Sequence, residues 1–337
     1  MNKKKYAIYL GASVTLFFVL YAAMKMDLGK ALHYILNTNP VWLLPAFVIQ
    51  VASIYYRAVR WWYILEPVKR IRTMDLVSAI CIGQMGNMVL PMRMGEVARA
   101  YAVSRNGEVD TSGALATVAI DRAFDLISLL GVLAIVLTFA RPDAIPPDTL
   151  AQMKTWGAAF GAVLLAALAF MYAFINGKIT SSRKISSVIT RFLPISIQAP
   201  IESFVVSFRA GLKVLNSGGH LLAISAYSAI VWLLMVAGLF FQLSMFDFPV
   251  SLEMSSLMIL LVSIGVSIPS SPGFIGPFHA GIVVALGIYG VDPNKALGVA
   301  ITLHLLMFAS TVLFGLFFLW RERMGMREIQ RLSVLKK

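Results

Sequence analysis

Charged residues and cysteines are both scarce in this chain of 337 residues. Aspartate, glutamate, lysine and arginine make up 13% of it, about half of their share in a typical soluble domain. The single cysteine, Cys81, excludes a disulfide framework and a cysteine-rich metal site. The sequence also has no glycine-rich phosphate loop, no GxSxG motif and no histidine–carboxylate cluster with the spacing of metal ligands. We therefore expect no cofactor and no metal, and the sequence does not predict an enzyme.

Apolar residues dominate instead, with 59% of the positions and a mean hydropathy of +0.80. A bilayer span needs about 20 largely apolar residues. Six segments satisfy this requirement: 6–24, 40–58, 112–140, 152–175, 220–243 and 296–320. The first of them is long for a signal peptide and has no convincing cleavage site, so we interpret it as a retained span. The sequence thus predicts an all-α, polytopic membrane bundle that forms a single transmembrane domain over residues 1–337.

Two further apolar stretches, 74–110 and 254–290, are each interrupted near the middle. Pro91 breaks the first, because proline removes a backbone donor and blocks the continuation of a helix. The second is broken by Pro269, Ser270, Ser271, Pro272 and Gly273. Each stretch is either a re-entrant hairpin or a pair of crossings joined by a tight turn, and hydropathy alone leaves both alternatives open.

Two re-entrant hairpins would make the order span–hairpin–span occur twice along the chain. The half-repeats then cover about 40–140 and about 220–320, with a cytoplasmic loop of about 176–219 between them. The hairpins enter from opposite faces of the membrane. This order is typical of an inverted-repeat transporter, whose binding site lies where its broken helices meet.

The distribution of basic residues predicts the orientation. Lysines and arginines concentrate before the first span, in 57–73, in the central loop and in the C-terminal tail, whereas 244–253 has none. The positive-inside rule places both termini in the cytoplasm, and the expected location is the inner (cytoplasmic) cell membrane. The net charge of +13 favours attraction to anionic membrane lipids. Nucleic-acid binding is not expected, because the sequence contains no folded basic module.

The first candidate site surrounds the break at Pro91. Arg93, Glu96 and Arg99 are spaced i, i+3, i+6 and form one stripe of the helix that begins after the proline. Together with Asn87, this helix start and its arginines would stabilise an anion such as a lipid phosphate. The alternative is an Arg–Glu–Arg ion-pair network that only ties the hairpin to its neighbours.

The second candidate site is Asp121-Arg122-Ala123-Phe124-Asp125, inside the span 112–140. The two aspartates, at i and i+4, share one helix face. Acidic groups at such a depth are costly, so they face a cavity, a partner charge or a proton path. Arg93 or Arg99 is a plausible partner, which would make the pairing structural; proton coupling or substrate gating is the alternative.

The third candidate site is the turn that contains Pro272, Gly273 and Gly276. The serines before it can cap the next half-helix, whose open N–H groups suit an anion. The alternative is a plain extracellular turn. His279 and His304 are interpreted as packed, hydrogen-bonding residues, although a histidine can titrate near neutral pH.

Arg57 and Arg60 end the second span and precede Trp61 and Trp62. Arginines that snorkel to the interface, beside an aromatic belt, account for this pattern. A contact with lipid head groups is the alternative.

Together these motifs resemble the lysylphosphatidylglycerol synthase transmembrane region, also called the flippase-like domain family. The matching residues are Arg57, Arg60-Trp61, Gly86-Asn87, Leu90-Pro91-x-Arg93-x-Gly95-Glu96-x-x-Arg99, Asp121-Arg122-x-x-Asp125 and Pro272-Gly273-x-x-Gly276-x-Phe278. The chain departs from the family at Phe274, which replaces a second glycine, and at His279, which stands near an expected acid.

The resemblance implies movement of a lipid between leaflets. The family's best-known members move an aminoacylated phospholipid and carry an aminoacyl-transfer domain that this sequence lacks after Trp320, so lipid aminoacylation is not expected. The leading hypothesis is a lipid flippase for a phospholipid, a glycolipid or a polyprenyl-phosphate-linked lipid. The alternatives are a membrane-embedded transferase, with Glu96 or Asp121 as base, and a non-catalytic scaffold. Lipid- or glycan-synthesis enzymes are the expected protein partners, and the oligomeric state is left open.

Overall fold

The computed structural model describes residues 28–90, 94–105, 109–139, 147–175, 217–267 and 272–325. These residues contain ten α-helices, two short 3₁₀ turns and no strand. The helices are α1 (Leu28–Leu36), α2 (Leu43–Leu65), α3 (Thr73–Val89), α4 (Gly95–Ser104), α5 (Thr111–Phe139), α6 (Pro147–Ile175), α7 (Gly218–Leu243), α8 (Leu252–Ser267), α9 (Pro277–Ile288) and α10 (Pro293–Arg321). The predicted span at 6–24, most of the central loop and the end of the C-terminal tail lie outside the described residues.

Among the described residues, three helical segments are long and apolar enough to cross a membrane, namely Pro40–Leu65, Gly218–Leu243 and Pro293–Arg321. Their surfaces carry large apolar side chains that the rest of the described structure leaves exposed, such as Leu44, Leu233 and Leu313. Apolar residues occupy both the interior and the outer faces of these helices, which is the pattern of a bundle surrounded by lipid. The predicted all-α membrane bundle is confirmed.

The first broken stretch forms a helical hairpin. Leu90 has extended backbone angles (φ −101°, ψ 145°), as expected for a residue that precedes a proline, and α3 ends there. Helix α4 then runs back along α3, so that a Cβ atom placed on Gly86 would lie 2.8 Å from the Cα atom of Gly95. Pro91 itself and Arg93 lie outside the described residues.

The second broken stretch doubles back in the same way. Gly273 and Gly276 have φ values of 76° and 101°, in a region that L side chains rarely adopt, and they form the turn between α8 and α9. The two helices then approach closely, because a Cβ atom on Gly265 would lie 2.7 Å from the carbonyl oxygen of Pro277. Residues 268–271, which the sequence analysis assigns to this break, lie outside the described residues.

The second arms of both hairpins are short. Helices α4 and α9 have 10 and 12 residues, which correspond to about 15 and 18 Å at 1.5 Å per residue. Neither length spans a hydrocarbon core of about 30 Å, and this favours the re-entrant alternative. The tips of the hairpins meet, since a Cβ atom on Gly273 would lie 3.6 Å from the carbonyl oxygen of Met88 on α3.

Helix α2 packs antiparallel to both α5 and α7. Trp42 stacks on Phe241 at one end of the α2–α7 pair, and Tyr63 contacts His220 at the other. In the α2–α5 pair, the indole N–H of Trp61 donates to the hydroxyl of Thr117. This packing places the last three turns of α2 beside the acidic residues of α5.

Candidate functional site

Asp121 is the centre of a buried charge cluster. Its side chain is 1% exposed, and its two carboxylate oxygens each lie 2.7 Å from an arginine nitrogen, one of Arg60 and one of Arg99. Arg122 contributes a third contact at 3.3 Å. Helices α2, α4 and α5 each supply one of these arginines, so the cluster holds three elements together. Of the two arginines predicted as partners, Arg99 pairs with Asp121. The other, Arg93, lies outside the described residues.

Asp125 extends the cluster by one helical turn. Arg60 reaches it at 2.9 Å, Arg122 at 2.9 Å and Arg57 at 3.9 Å. Because Asp121 and Asp125 share one face of α5, Arg60 binds both carboxylates with a single guanidinium. Arg60 also donates a hydrogen bond to the hydroxyl of Ser228 on α7.

Glu96 forms the accessible edge of the cluster. Its side chain is 28% exposed and lies 3.7 Å from Arg122, which is 42% exposed. The amide of Asn87 donates to Glu96 at 3.4 Å, while its carbonyl accepts the backbone N–H of Gly95 at 2.9 Å. Asn87 thus bridges the break of the first hairpin and connects it to the cluster.

The interpretation of Arg60 and Trp61 as interfacial residues is wrong. Both side chains are fully buried, with 0% exposure. The guanidinium of Arg99 lies 3.8 Å above the ring of Trp61, which is a cation–π contact. A snorkelling arginine extends towards water, whereas two carboxylates hold Arg60 inside the bundle. Arg57 and Arg60 share one face of α2, and Asp121 and Asp125 share one face of α5. These matching spacings were the sequence signal that could have indicated the ion pairs.

Among the described residues, the cluster has more arginines than carboxylates. Four arginines (Arg57, Arg60, Arg99 and Arg122) contact three carboxylates (Glu96, Asp121 and Asp125) among the described residues. Nε of Arg60 and both Nε and Nη2 of Arg99 are buried without a hydrogen-bond partner in the described part of the chain. Buried donors without partners are costly, and they mark a place where a ligand can supply acceptors.

The third predicted site lies at the tip of the second hairpin. Of Pro272, Gly273 and Gly276, Gly273 lies beside Met88 of α3, and the described contacts do not place the three residues against the arginines. His304 on α10 donates to the carbonyl oxygen of Gly273 at 2.7 Å. His304 and His279 are packed, hydrogen-bonding residues, as predicted.

Glu66 links α2 to α7 outside the span. The Arg70 guanidinium donates to its carboxylate at 2.8 Å, and His220 lies 3.2 Å from the other oxygen. The hydrogen bond from Arg70 lowers the pKa of Glu66 below its ordinary value. Glu66 is therefore ionised at neutral pH, as a bridge between the two helices requires.

The fold and the site define a multi-pass helical membrane protein. Its arginine-rich charge cluster lies between the first hairpin, at α4, and the long helices α2 and α5. Residues 8–315 match the family of the lysylphosphatidylglycerol synthase TM region. The chain belongs to this family, and the resemblance seen in the sequence is confirmed.

Several archaeal proteins are similar to the chain. A UPF0104 membrane protein of Methanocaldococcus jannaschii is 26% identical over 68% of this chain and 90% of its own length. A second, from Methanothermobacter thermautotrophicus, is 22% identical over 81% of this chain and 82% of its own length. Glycosyltransferase AglD of Haloferax volcanii is 29% identical over 40% of this chain, which is 22% of AglD. No solved structure matches the chain.

Proposed function

We propose that this protein moves a lipid with an anionic head group between the leaflets of the membrane, and that the buried arginine cluster binds the head group. The unpaired donors of Arg60 and Arg99 are the observation that carries the proposal. A phosphate offers oxygens that accept from such donors with the geometry a guanidinium prefers. Membership of the family is consistent with a role in lipid metabolism.

The charge balance supports an anion rather than a cation or a neutral head group. Four arginines against three carboxylates leave one positive charge in excess among the described residues. A net charge inside a membrane is expensive unless something neutralises it. An anionic head group would supply the missing charge, and the accessible edge at Glu96 and Arg122 would admit it.

We further propose that the Leu65 end of α2 faces the cytoplasm of the inner membrane. The basic residues Lys69, Arg70 and Arg72 follow this end directly, in agreement with the positive-inside rule. A cysteine introduced by Arg70→Cys, in a Cys81→Ala background, should react with a membrane-impermeant maleimide only after the cells are opened. Labelling of intact cells would show the opposite orientation.

Reconstitution into vesicles tests the transport proposal. We expect labelled anionic phospholipids or polyprenyl phosphates to exchange between leaflets faster than in protein-free vesicles. Arg99→Gln should lower the rate for the anionic lipid relative to a zwitterionic one by about tenfold or more, because a charge-assisted hydrogen bond contributes roughly 1.5–3 kcal/mol. The ratio within one variant corrects for any partial loss of folded protein.

Arg72→Gln is the matched control, because this arginine is 86% exposed and pairs only with the nearby Asp75 in the described structure. It should leave both rates unchanged. If no lipid of a broad panel exchanges faster than in empty vesicles, the transport proposal fails.

Group transfer onto a lipid-linked substrate is a second candidate, favoured by the similarity to glycosyltransferase AglD. Asp121 is a poor choice of base, because three arginines contact it and it is 1% exposed. Glu96, at 28% exposure, is the accessible carboxylate. Formation of a glycosylated lipid by the purified protein, abolished by Glu96→Gln, would favour this candidate over transport.

A further inference from the structure

Two histidines hold the break of the second hairpin. His304 donates from Nε2 to the carbonyl oxygen of Gly273, since a carbonyl only accepts. Nδ1 of His279 accepts the backbone N–H of Gly276, at 3.5 Å, at the start of α9. Their ring centroids are 4.8 Å apart. In the tautomers that this network assigns, each ring carries its proton on Nε2 and leaves Nδ1 as the basic atom.

The described surroundings of this pair contain no carboxylate contact. Helix α9 has no ionisable residue besides His279, and the one acid of α8, Glu253, bonds to Tyr289 at the other end of the hairpin. The charged residues of α10 lie at its ends. Helix α3 presents the backbone of Met88, and Arg93 in the sequence beyond it lies outside the described residues. A proton taken up by the two histidines would therefore add a positive charge to a region in which the described structure has no charged side chain.

A series of neighbouring residues leads from the pair towards the arginine cluster. A Cβ atom on Gly273 would lie 3.6 Å from the carbonyl oxygen of Met88, and the neighbouring Asn87 donates a hydrogen bond to Glu96 of the cluster. Ionisable residues inside a membrane commonly mark proton or ion paths. An unperturbed imidazole changes its charge near neutral pH, and burial moves that change to lower pH.

We propose that His279 and His304 form a proton-binding site that couples proton movement to lipid movement. This inference rests on the proposed transport function. A proton on Nδ1 of His279 removes the acceptor of the Gly276 N–H and so releases the start of α9 at the hairpin tip. An anionic head group in the arginine cluster lowers the electrostatic cost of the added positive charge, so the proton and the lipid bind more favourably together. The proton leaves unchanged on the other side of the membrane, and no covalent bond is made or broken.

Vesicles with an imposed pH difference test the coupling. With one proton per lipid, a difference of one pH unit should drive the anionic lipid toward the leaflet on the alkaline side, up to a leaflet ratio of about tenfold. Each protein is compared with its own ratio at equal pH. The double variant His279→Gln/His304→Gln should lose the response to the gradient, whereas His220→Gln, a histidine at the start of α7, should keep it.

The arms of this experiment separate the two proposals. Exchange at equal pH with no response to the gradient would overturn the coupling and leave the transport function standing. Absence of exchange at equal pH would overturn the transport function and, with it, the coupling of the two movements.

A second measurement tests protonation of the hairpin tip without transport. Ile275, at the tip, is 40% exposed, and Ile275→Cys in a Cys81→Ala background gives a single reporter thiol. The rate of thiol labelling, relative to the same protein with His279→Gln, should be higher at pH 5 than at pH 8. Because both proteins are compared at the same pH, the ionisation of the thiol cancels. An equal ratio at both pH values would overturn the proton site.

Discussion

Replacing Asp121 with asparagine should destabilise the protein more than any other single change in the charge cluster. The substitution keeps the size of the side chain and removes the charge that Arg60, Arg99 and Arg122 share. Asp121 is the only carboxylate within 4 Å of Arg99 among the described residues, so this buried guanidinium would be left without a counter-charge. Removal of one partner from a buried ion pair costs about 3–5 kcal/mol. Thermal or denaturant unfolding in detergent measures this loss.

Arg99→Met is the matched comparison. Asp121 retains Arg60 and Arg122 in this variant, and methionine keeps part of the side-chain volume beside Trp61. The loss of stability should therefore be clearly smaller than for Asp121→Asn. Equal losses of stability in the two variants would mean that Asp121 is not the central counter-charge of the buried arginines.

Replacing Gly95 with alanine should separate the two arms of the first hairpin. A Cβ atom at this position would lie 1.9 Å from the carbonyl oxygen of Gly83 and 2.5 Å from the backbone nitrogen of Asn87. Both neighbours are backbone atoms, which cannot rotate away as a side chain does. We expect the free energy of unfolding to fall by about 3 kcal/mol or more, at the upper end of the range for overpacked sites.

Gly131→Ala is the control for this substitution. Gly131 lies within α5, and a Cβ atom there would meet nothing within 4 Å. Alanine favours a helix interior over glycine by about 1 kcal/mol, so this variant should be neutral or more stable. The yield of folded protein after membrane extraction and its unfolding midpoint measure both variants. A Gly95→Ala protein as stable as the Gly131→Ala protein would contradict the close packing of α3 and α4.

The helices were largely predictable from hydropathy, but their ends beside charged residues were not. The predicted span 40–58 ends where Arg57 and Arg60 interrupt the apolar run. Helix α2 instead continues to Leu65. A hydropathy average assigns each arginine the free-energy cost of an isolated charge in the membrane. In the fold, two carboxylates pair with Arg60, so the helix continues past it. The breaks at the two hairpins were predictable because proline and glycine act locally.

The members of the site were predictable, but their arrangement was only partly so. Local spacing placed Asp121 and Asp125 on one face and indicated Arg99 as a partner. The burial of Arg60 depends on how α2 packs against α5, some 60 positions later in the chain, and no local pattern contains that information. All the predicted binding roles stay predictions, those of the residues in the charge cluster as well as those of Asn87, Arg93 and the Pro272–Gly276 turn.

Transport as proposed requires that the arginine cluster binds an anionic head group, and native mass spectrometry measures this binding. The purified protein would be titrated with an anionic phospholipid and, separately, with a zwitterionic one of the same acyl chains. The wild-type protein and Arg72→Gln should retain the anionic lipid preferentially, and Arg99→Met should lose this preference. Equal retention of the anionic lipid by Arg99→Met and the wild-type protein would contradict the proposed binding.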